Sequence, residues 1–300
     1  MHETREFMRI AGLPIGDGVE QPTSELRFAD GGQYRVEIPS TEGPEALEAV
    51  IDEAAQRGVP IHRVSQGSGI MLQTDDELRH FKKLGDEHGI EVSLFTGPRA
   101  SWDIGIQTTA PAGRAIGASL RGPDQLVYGI EDVRHACELG LRSVLVADLG
   151  QLWVLGKMKE SGDLPADLVL KVSVSLPVAN PATAKVLEEL GATTLNLPVD
   201  LTVSDIGAIR QSVQCPLDIY IEGPDDFGAP VRYYEIPEIV RVASPVYLKF
   251  TVRNSPGLYP SGGHIRGLAL DTARERVRRA EIGLAILHRY MPEVQASPKT

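Results

Sequence analysis

Two lysines, Lys171 and Lys249, sit inside runs that alternate between apolar and polar residues. In 168–176 one set is Leu168, Leu170, Val172, Val174 and Leu176; the other is Val169, Lys171, Ser173 and Ser175. In 246–253 Val246, Leu248, Phe250 and Val252 oppose Tyr247, Lys249, Thr251 and Arg253. In 217–222 Leu217, Ile219 and Ile221 oppose Asp218, Tyr220 and Glu222, and in 35–38 Val36 and Ile38 oppose Arg35 and Glu37. A period of two puts each set on one face of a β-strand. If the apolar faces meet helices, then Glu37, Lys171, Ser173, Asp218, Tyr220, Glu222 and Lys249 share an interior. A desolvated lysine beside a second cation loses its proton near neutrality and can attack a carbonyl to form a Schiff base. Glu222 or Glu37 would then serve as acid or base. The competing reading is a self-satisfied ion-pair network, with both lysines paired to Glu37, Asp218 or Glu222.

Other residues suggest binding. Glu37, Asp148, Glu222, Asp225 and Asp226 fall at or just past strand ends. Carboxylates there, with a histidine such as His264 or His62, could hold Mg²⁺, Mn²⁺ or Zn²⁺ and activate a water or polarise a carbonyl. Asp148, Asp226 and His264 are the metal candidates; loop caps and salt bridges are the alternative. Tyr259-Pro-Ser-Gly-Gly-His264 precedes a helix, so Ser261, Gly262 and Gly263 could approach an anion, with Arg253 and Asn254 just upstream. Gln66, in Ser65-Gln-Gly-Ser-Gly69, has the same character. Arg99 and Trp102 lie in 97–103, where Trp102 is a substrate platform, a lid or a buried anchor. Arg274, Arg276, Arg278 and Arg279, interrupted by Glu275, read as a solvated face or an oligomer contact.

Strand-like runs at 33–39, 61–65, 91–96, 143–147, 168–175, 193–197, 217–222 and 246–252 alternate with amphipathic stretches. The predicted helices are 44–57, 75–88, 131–139, 149–159, 181–190, 204–212 and about 268–290. Gly58, Gly89, Gly140 and Gly191 follow helical stretches, the C-cap asymmetry of successive βα units. About eight such units argue for an α/β chain closed into a (β/α)8 TIM-type barrel. A further β-like stretch, 124–128, falls in an enlarged loop at 97–128. Residues 1–32 read as an extension without clear periodicity, 33–291 as the barrel with its C-terminal helix, and 292–300 as a polar, frayed tail.

Of 300 residues, 42% are hydrophobic and 24% charged, which excludes wholesale disorder. A net charge of −11 argues against nucleic acid or an anionic membrane as partner. Apolar runs fall short of the roughly 18–20 residues of a membrane helix, and 1–10 shows no secretory core, so a cytoplasmic protein is expected. Two cysteines, Cys137 and Cys215, make neither a disulfide framework nor a four-cysteine cluster site.

Several segments resemble the peptidase U32 family of barrel proteins. They are 38–51, 74–92, Val146-Ala-Asp-Leu-Gly-Gln-Leu152, 180–191, Leu197-Pro198 and Leu217-Asp-Ile-Tyr-Ile-Glu-Gly-Pro224. The resemblance covers about Val36 to Pro224, implies a barrel and makes 97–128 an insertion. Where the family has His-Gly followed by a cysteine, this chain has Glu222-Gly-Pro-Asp-Asp226, and no cysteine follows Cys215. Relatives that hydroxylate RNA or quinone precursors without oxygen hold an iron–sulfur cluster on several cysteines; this chain cannot. Its sequence also shows no Ser-His-Asp, Cys-His or HExxH grouping for peptidase chemistry.

The expectation is an enzyme acting on a small polar, anionic metabolite by lyase, isomerase or hydrolase chemistry. Lys171, Glu222, Glu37 and Lys249 are its catalytic candidates, a divalent metal is the cofactor left open, and homo-oligomers are left open as well. The alternative is a non-catalytic ligand-binding or partner subunit that has lost the family's cofactor.

Overall fold

The computed structural model describes residues 2–15, 21–103, 105–228 and 230–298. Eight parallel strands close into a barrel in chain order: β1 (Tyr34–Pro39), β2 (Arg63–Gln66), β3 (Glu91–Phe95), β4 (Ser143–Val146), β5 (Val169–Val172), β6 (Thr194–Asn196), β7 (Leu217–Glu222) and β8 (Val246–Phe250). Closure is made by β1 on β8, from Tyr34 opposite Val246 to Glu37 opposite Lys249. The helices are α1 (His2–Ile10), α2 (Pro44–Arg57), α3 (Asp75–His88), α4 (Gly122–Glu138), α5 (Leu149–Ser161), α6 (Pro181–Glu189), α7 (Val203–Arg210), α8 (Ile236–Ala243) and α9 (Arg266–Tyr290). No described helix is long and apolar enough to cross a membrane.

Local chemistry explains most boundaries. Thr74 and Glu77 form a capping box at the start of α3, and Thr202 and Asp205 do so for α7. Gly58 and Gly89 end α2 and α3 at φ 66° and 62°, where a β-carbon would be strained.

Four stretches differ from expectation. Residues 124–128 are not β but the opening turns of α4, whose buried Gln125, Gly129, Val133 and Ala136 recur at helical spacing. The enlarged loop therefore ends near residue 121 and contains three short 3₁₀ turns, Ala100–Trp102, Ile106–Thr109 and Pro111–Ile116. The short helix α8 was unforeseen, although Ile236, Ile239, Val240 and Ala243 form an apolar stripe. So was α1, in a segment read as lacking periodicity. The segment after α9 lies along β1 rather than fraying: Gln33 N–H donates to Gln295 O at 2.8 Å and Ser297 N–H to Tyr34 O at 3.0 Å.

The apolar faces of the strands pack under the helices, with Val36, Ile38, Leu170, Val172, Ile219 and Leu248 all buried. The opposite faces fill the barrel with charge. Lys171 Nζ pairs with Glu37 and lies 3.1 Å from Asp218. Arg63 reaches Glu37 at 3.4 Å, Asp218 at 3.2 Å and Glu91 at 2.9 Å, and its guanidinium sits 3.5 Å from the Tyr247 ring centroid. Lys249 Nζ is 3.4 Å from Glu37 Oε1. Ser65 and Thr194 donate to Glu37 and Asp218 at 2.7 Å each. Three cations thus face three carboxylates. Burial raises the Glu37 carboxyl, but Lys171, Lys249 and Arg63 outweigh it and hold the group well below the usual carboxylate range. Burial, reinforced by Lys249 and Arg63, lowers Lys171 despite Asp218 and Glu37.

Removing one member should leave the others uncompensated. Replacing Lys171 with Met is expected to cost about 3–5 kcal/mol of stability, read from the urea midpoint. An unchanged midpoint would show that the network contributes no net cohesion.

Candidate active site at the barrel mouth

Above this network the C-terminal ends of the strands open into a cavity of about 530 Å³. Its position is that of active sites in this architecture. Lys249 of β8, Tyr220 of β7, Asn196 of β6 and Ser173 after β5 line it. Each belongs to the interior set of its strand. Lys249 Nζ lies 4.3 Å from the Tyr220 ring centroid. Burial pushes the Tyr220 phenol well up, so it remains an O–H donor at neutral pH. Asn196 is 1% exposed and its Oδ1 has no hydrogen-bond partner. Glu37, Asp218, Arg63 and Lys171 do not line the cavity; Lys249 does.

Glu222 departs from the interior pattern. Tyr220 is opposite Lys249, but the register then shifts and Glu222 is opposite Phe250. This irregularity moves Glu222 to the apolar set, facing the helices. Glu222 Oε2 accepts from Tyr233 Oη at 2.6 Å and lies 3.6 Å from Arg279 of α9, while Oε1 accepts from Arg253 N–H at 3.0 Å. It braces a loop and does not line the cavity.

Loops complete the walls. Gln66 lines the cavity and uses both ends of its amide on Gly69. Tyr259 reaches across from the loop after β8 to bond Ser40 and packs on Gly67, where a β-carbon would lie 2.2 Å from its ring. Ser40 takes φ 57°, which serine rarely adopts. Arg99 and Arg114 line the side formed by the 97–121 loop, and Asp226 is the carboxylate among the described lining residues.

The remaining candidates are spread out. Arg253 pairs with the exposed Asp225 at 2.7 Å, and Asn254 N–H donates to the same carboxylate. Ser261, Gly262 and Gly263 border a different cavity, of about 610 Å³, between α2 and the start of α9. Trp102 packs against Arg99 and does not line the main cavity. The proposed metal ligands are not brought together. Asp148 caps α5, accepting from Gln151 N–H at 2.8 Å, and its other oxygen accepts from Leu120 N–H at 3.0 Å. His264 does not line the cavity that Asp226 lines. His62 has both ring nitrogens engaged, one with Val36 N–H and one with Ser297 O. Among the described residues no three His, Cys, Asp or Glu side chains group to hold a metal. Sequence reasoning passed over Arg63, Asn196, Arg114 and Ser40, and took Tyr259 only as the start of a loop motif. Asn196 was legible, because Thr194 and Asn196 alternate with Thr193, Leu195 and Leu197. Arg114 sits in a loop with no periodic signal.

The loop is anchored where it leaves β3. Gly97 N–H donates to Asp132 of α4 at 2.9 Å. Burial raises the Asp132 carboxyl to about 6, against the lowering effect of that N–H. A carboxyl raised in the folded state contributes stability below its unfolded value and loses it as pH rises through the folded one. Stability should therefore fall between about pH 4 and pH 6 by a component that Asp132→Asn removes, seen by comparing thermal midpoints across that window. Identical pH profiles for the two proteins would contradict this.

Comparison with known proteins agrees with the earlier resemblance. The sequence model of peptidase family U32 matches residues 122–225. The structure of the U32 peptidase Mk0906 is 16% identical, with 77% of this chain and 97% of that chain covered and a TM-score of 0.45. Thiamine phosphate pyrophosphorylase from Pyrococcus furiosus is 11% identical, with 87% and 98% covered and a TM-score of 0.48. The native KDPGal structure is 10% identical, with 89% and 100% covered and a TM-score of 0.46. No curated protein matches the chain. The chain is thus a (β/α)8 barrel of eight parallel strands, of which residues 122–225 are similar to peptidase family U32.

Proposed function

We propose that the barrel mouth is the active site of an enzyme for a small, polar, anionic metabolite, with Lys249 as the cation that meets the reacting group. The observation that carries this reading is the selective placement of Lys249. It belongs to the buried network, and among that network's cations it alone lines the cavity. Among the described residues, the lining holds the cations Lys249, Arg99 and Arg114 against one carboxylate, Asp226, although the chain's net charge is −11. A fixed cation in a water-poor site stabilises negative charge developing on a carbonyl oxygen. Tyr220, kept protonated, would donate to that oxygen. This suits proton abstraction beside a carbonyl, with the lining carboxylate Asp226 as the base that takes the proton, in the lyase or isomerase sense.

In this reading Lys171 and Glu37 are positioning residues that hold Lys249 from below, and Glu222 braces the wall. Peptide hydrolysis is less well supported, since no histidine or cysteine is among the described lining residues. A non-catalytic partner subunit is favoured by the mutual pairing of Glu37, Asp218, Arg63 and Lys171. The open cavity with Lys249 at its base weighs against it.

Deuterium exchange at carbon beside the carbonyl, followed by proton NMR over a panel of 2-keto carboxylates, tests the proposal. The wild type should exchange at least one of them, and Lys249→Met should lower the rate by about 10²–10³-fold. Lys249→Arg, which keeps the charge, controls for folding. Equal rates in wild type and Lys249→Met, or no exchange with any acid, would overturn the assignment.

A further inference from the structure

The 97–121 loop carries a buried cation, Arg99, that forms no ion pair among the described residues. The Arg99 guanidinium lies between two rings, 3.9 Å from the Phe95 centroid and 3.8 Å from that of Trp102. Its Nη2 donates to Gly67 O at 2.8 Å and Ser68 O at 3.3 Å. The side chain fixes its plane through stacking and these two bonds. Arg99 is 7% exposed and its Nε is buried with no hydrogen-bond partner. It forms no ion pair with a described residue. Arg63 in the same barrel meets three carboxylates. Glu42 and Asp132 are the nearby acids, but Glu42 is engaged by the N–H groups of Gly67 and Ser68, Asp132 by that of Gly97, and neither forms an ion pair with Arg99. Burial lowers Arg99 to about 10, which leaves it charged at neutral pH.

Burying an unpaired guanidinium is costly, and an unused N–H donor adds to the cost. Such a group lining a cavity is poised for an oxyanion, which Nη1, bonded to no described residue, would meet with a charge-assisted hydrogen bond. Arg114, exposed on the same loop, also lines the cavity and forms no ion pair among the described residues. The loop is fastened at both ends, by Ala100 N–H to Ser119 O at 3.0 Å and Ser101 N–H to Gly117 O at 2.9 Å, so Arg99 is preformed.

We propose that Arg99, with Arg114 closing from above, is the anchor for a carboxylate or phosphate on the substrate, distinct from the group that meets Lys249. The substrate class is thus bifunctional: a carbonyl or acyl group at Lys249 and a second, non-reacting oxyanion at the loop. The placement of the reacting end rests on the function proposed above; the oxyanion site itself does not. Trp102 acts from behind, holding Arg99 without touching ligand.

Calorimetric titration of the full chain with malonate and with inorganic phosphate tests this. At least one should bind at millimolar concentration or better, malonate alone indicating a carboxylate site and phosphate alone a phosphate site. Arg99→Met should weaken binding by about tenfold or more, with Arg99→Lys intermediate because it keeps charge without the fork. Arg114→Gln, on an exposed side chain that leaves the fold intact, should weaken it severalfold, and bound anion should slow trypsin cleavage after Arg114. Undiminished binding in Arg99→Met, or no binding of either anion to the wild type, would overturn the inference. If anion binding survives in Lys249→Met but carbon exchange is lost, both assignments stand. If exchange depends on Lys249 while anion binding ignores Arg99, the anchor alone fails. If binding depends on Arg99 while exchange ignores Lys249, the reacting-group assignment alone fails.

Discussion

A single carboxylate, Glu37, is shared among Lys171, Lys249 and Arg63 at the centre of the barrel. Most barrels of this kind fill their interior with branched apolar layers. Here that space is ionic, and the desolvation of each group is offset only if every partner keeps its place. The constraint ties strands that are distant in sequence. Glu37 comes from β1, Arg63 from β2, Lys171 from β5, Asp218 from β7 and Lys249 from β8. Closure of β1 on β8 puts Glu37 directly opposite Lys249, and the network can form only in the closed barrel.

The same arrangement gives the barrel a direction. Below, cations and carboxylates are matched and sealed. Above, Lys249, Tyr220 and Asn196 line an open cavity, and Arg99 and Arg114 line it from the loop side. Positive charge therefore rises from a compensated base to an uncompensated mouth. The loops that build the walls are held by protein groups alone: Asp148 and Asp132 fasten the long loop, and Tyr259 fastens the loop after β8 to β1 and β2. A site prepared this way does not have to organise itself when a ligand arrives.

Much of this was legible in the sequence, because strand alternation is a local rule. The inward direction of Lys171, Lys249, Glu37 and Asp218 follows from a period of two, and the barrel from the repeated strand–helix order. Glu222 was not legible, since one irregular step in β7 reverses its face and nothing in Leu217-Asp-Ile-Tyr-Ile-Glu222 marks that step. Arg63 escaped notice because its strand mixes Arg63 and Ser65 with Ile61 on one face. Asp148 looked like a metal ligand at a strand end, yet the Gln three residues later is in keeping with a helix cap, which is its observed role. Asp226, His264 and the glycines at 262 and 263 depend on loop paths, which local pattern does not encode. Arg99 was singled out by position; its sandwich between Phe95 and Trp102 emerges only from the folded loop.

In the reading proposed above, the barrel mouth is a preformed anion site set between Lys249 and Arg99. A crystal structure of the protein with malonate tests it most directly. The expected result is one malonate in the cavity, with one carboxylate on the Arg99 guanidinium and the other directed toward Lys249 Nζ. Malonate bound only elsewhere on the molecule, with the cavity filled by water alone, would contradict it.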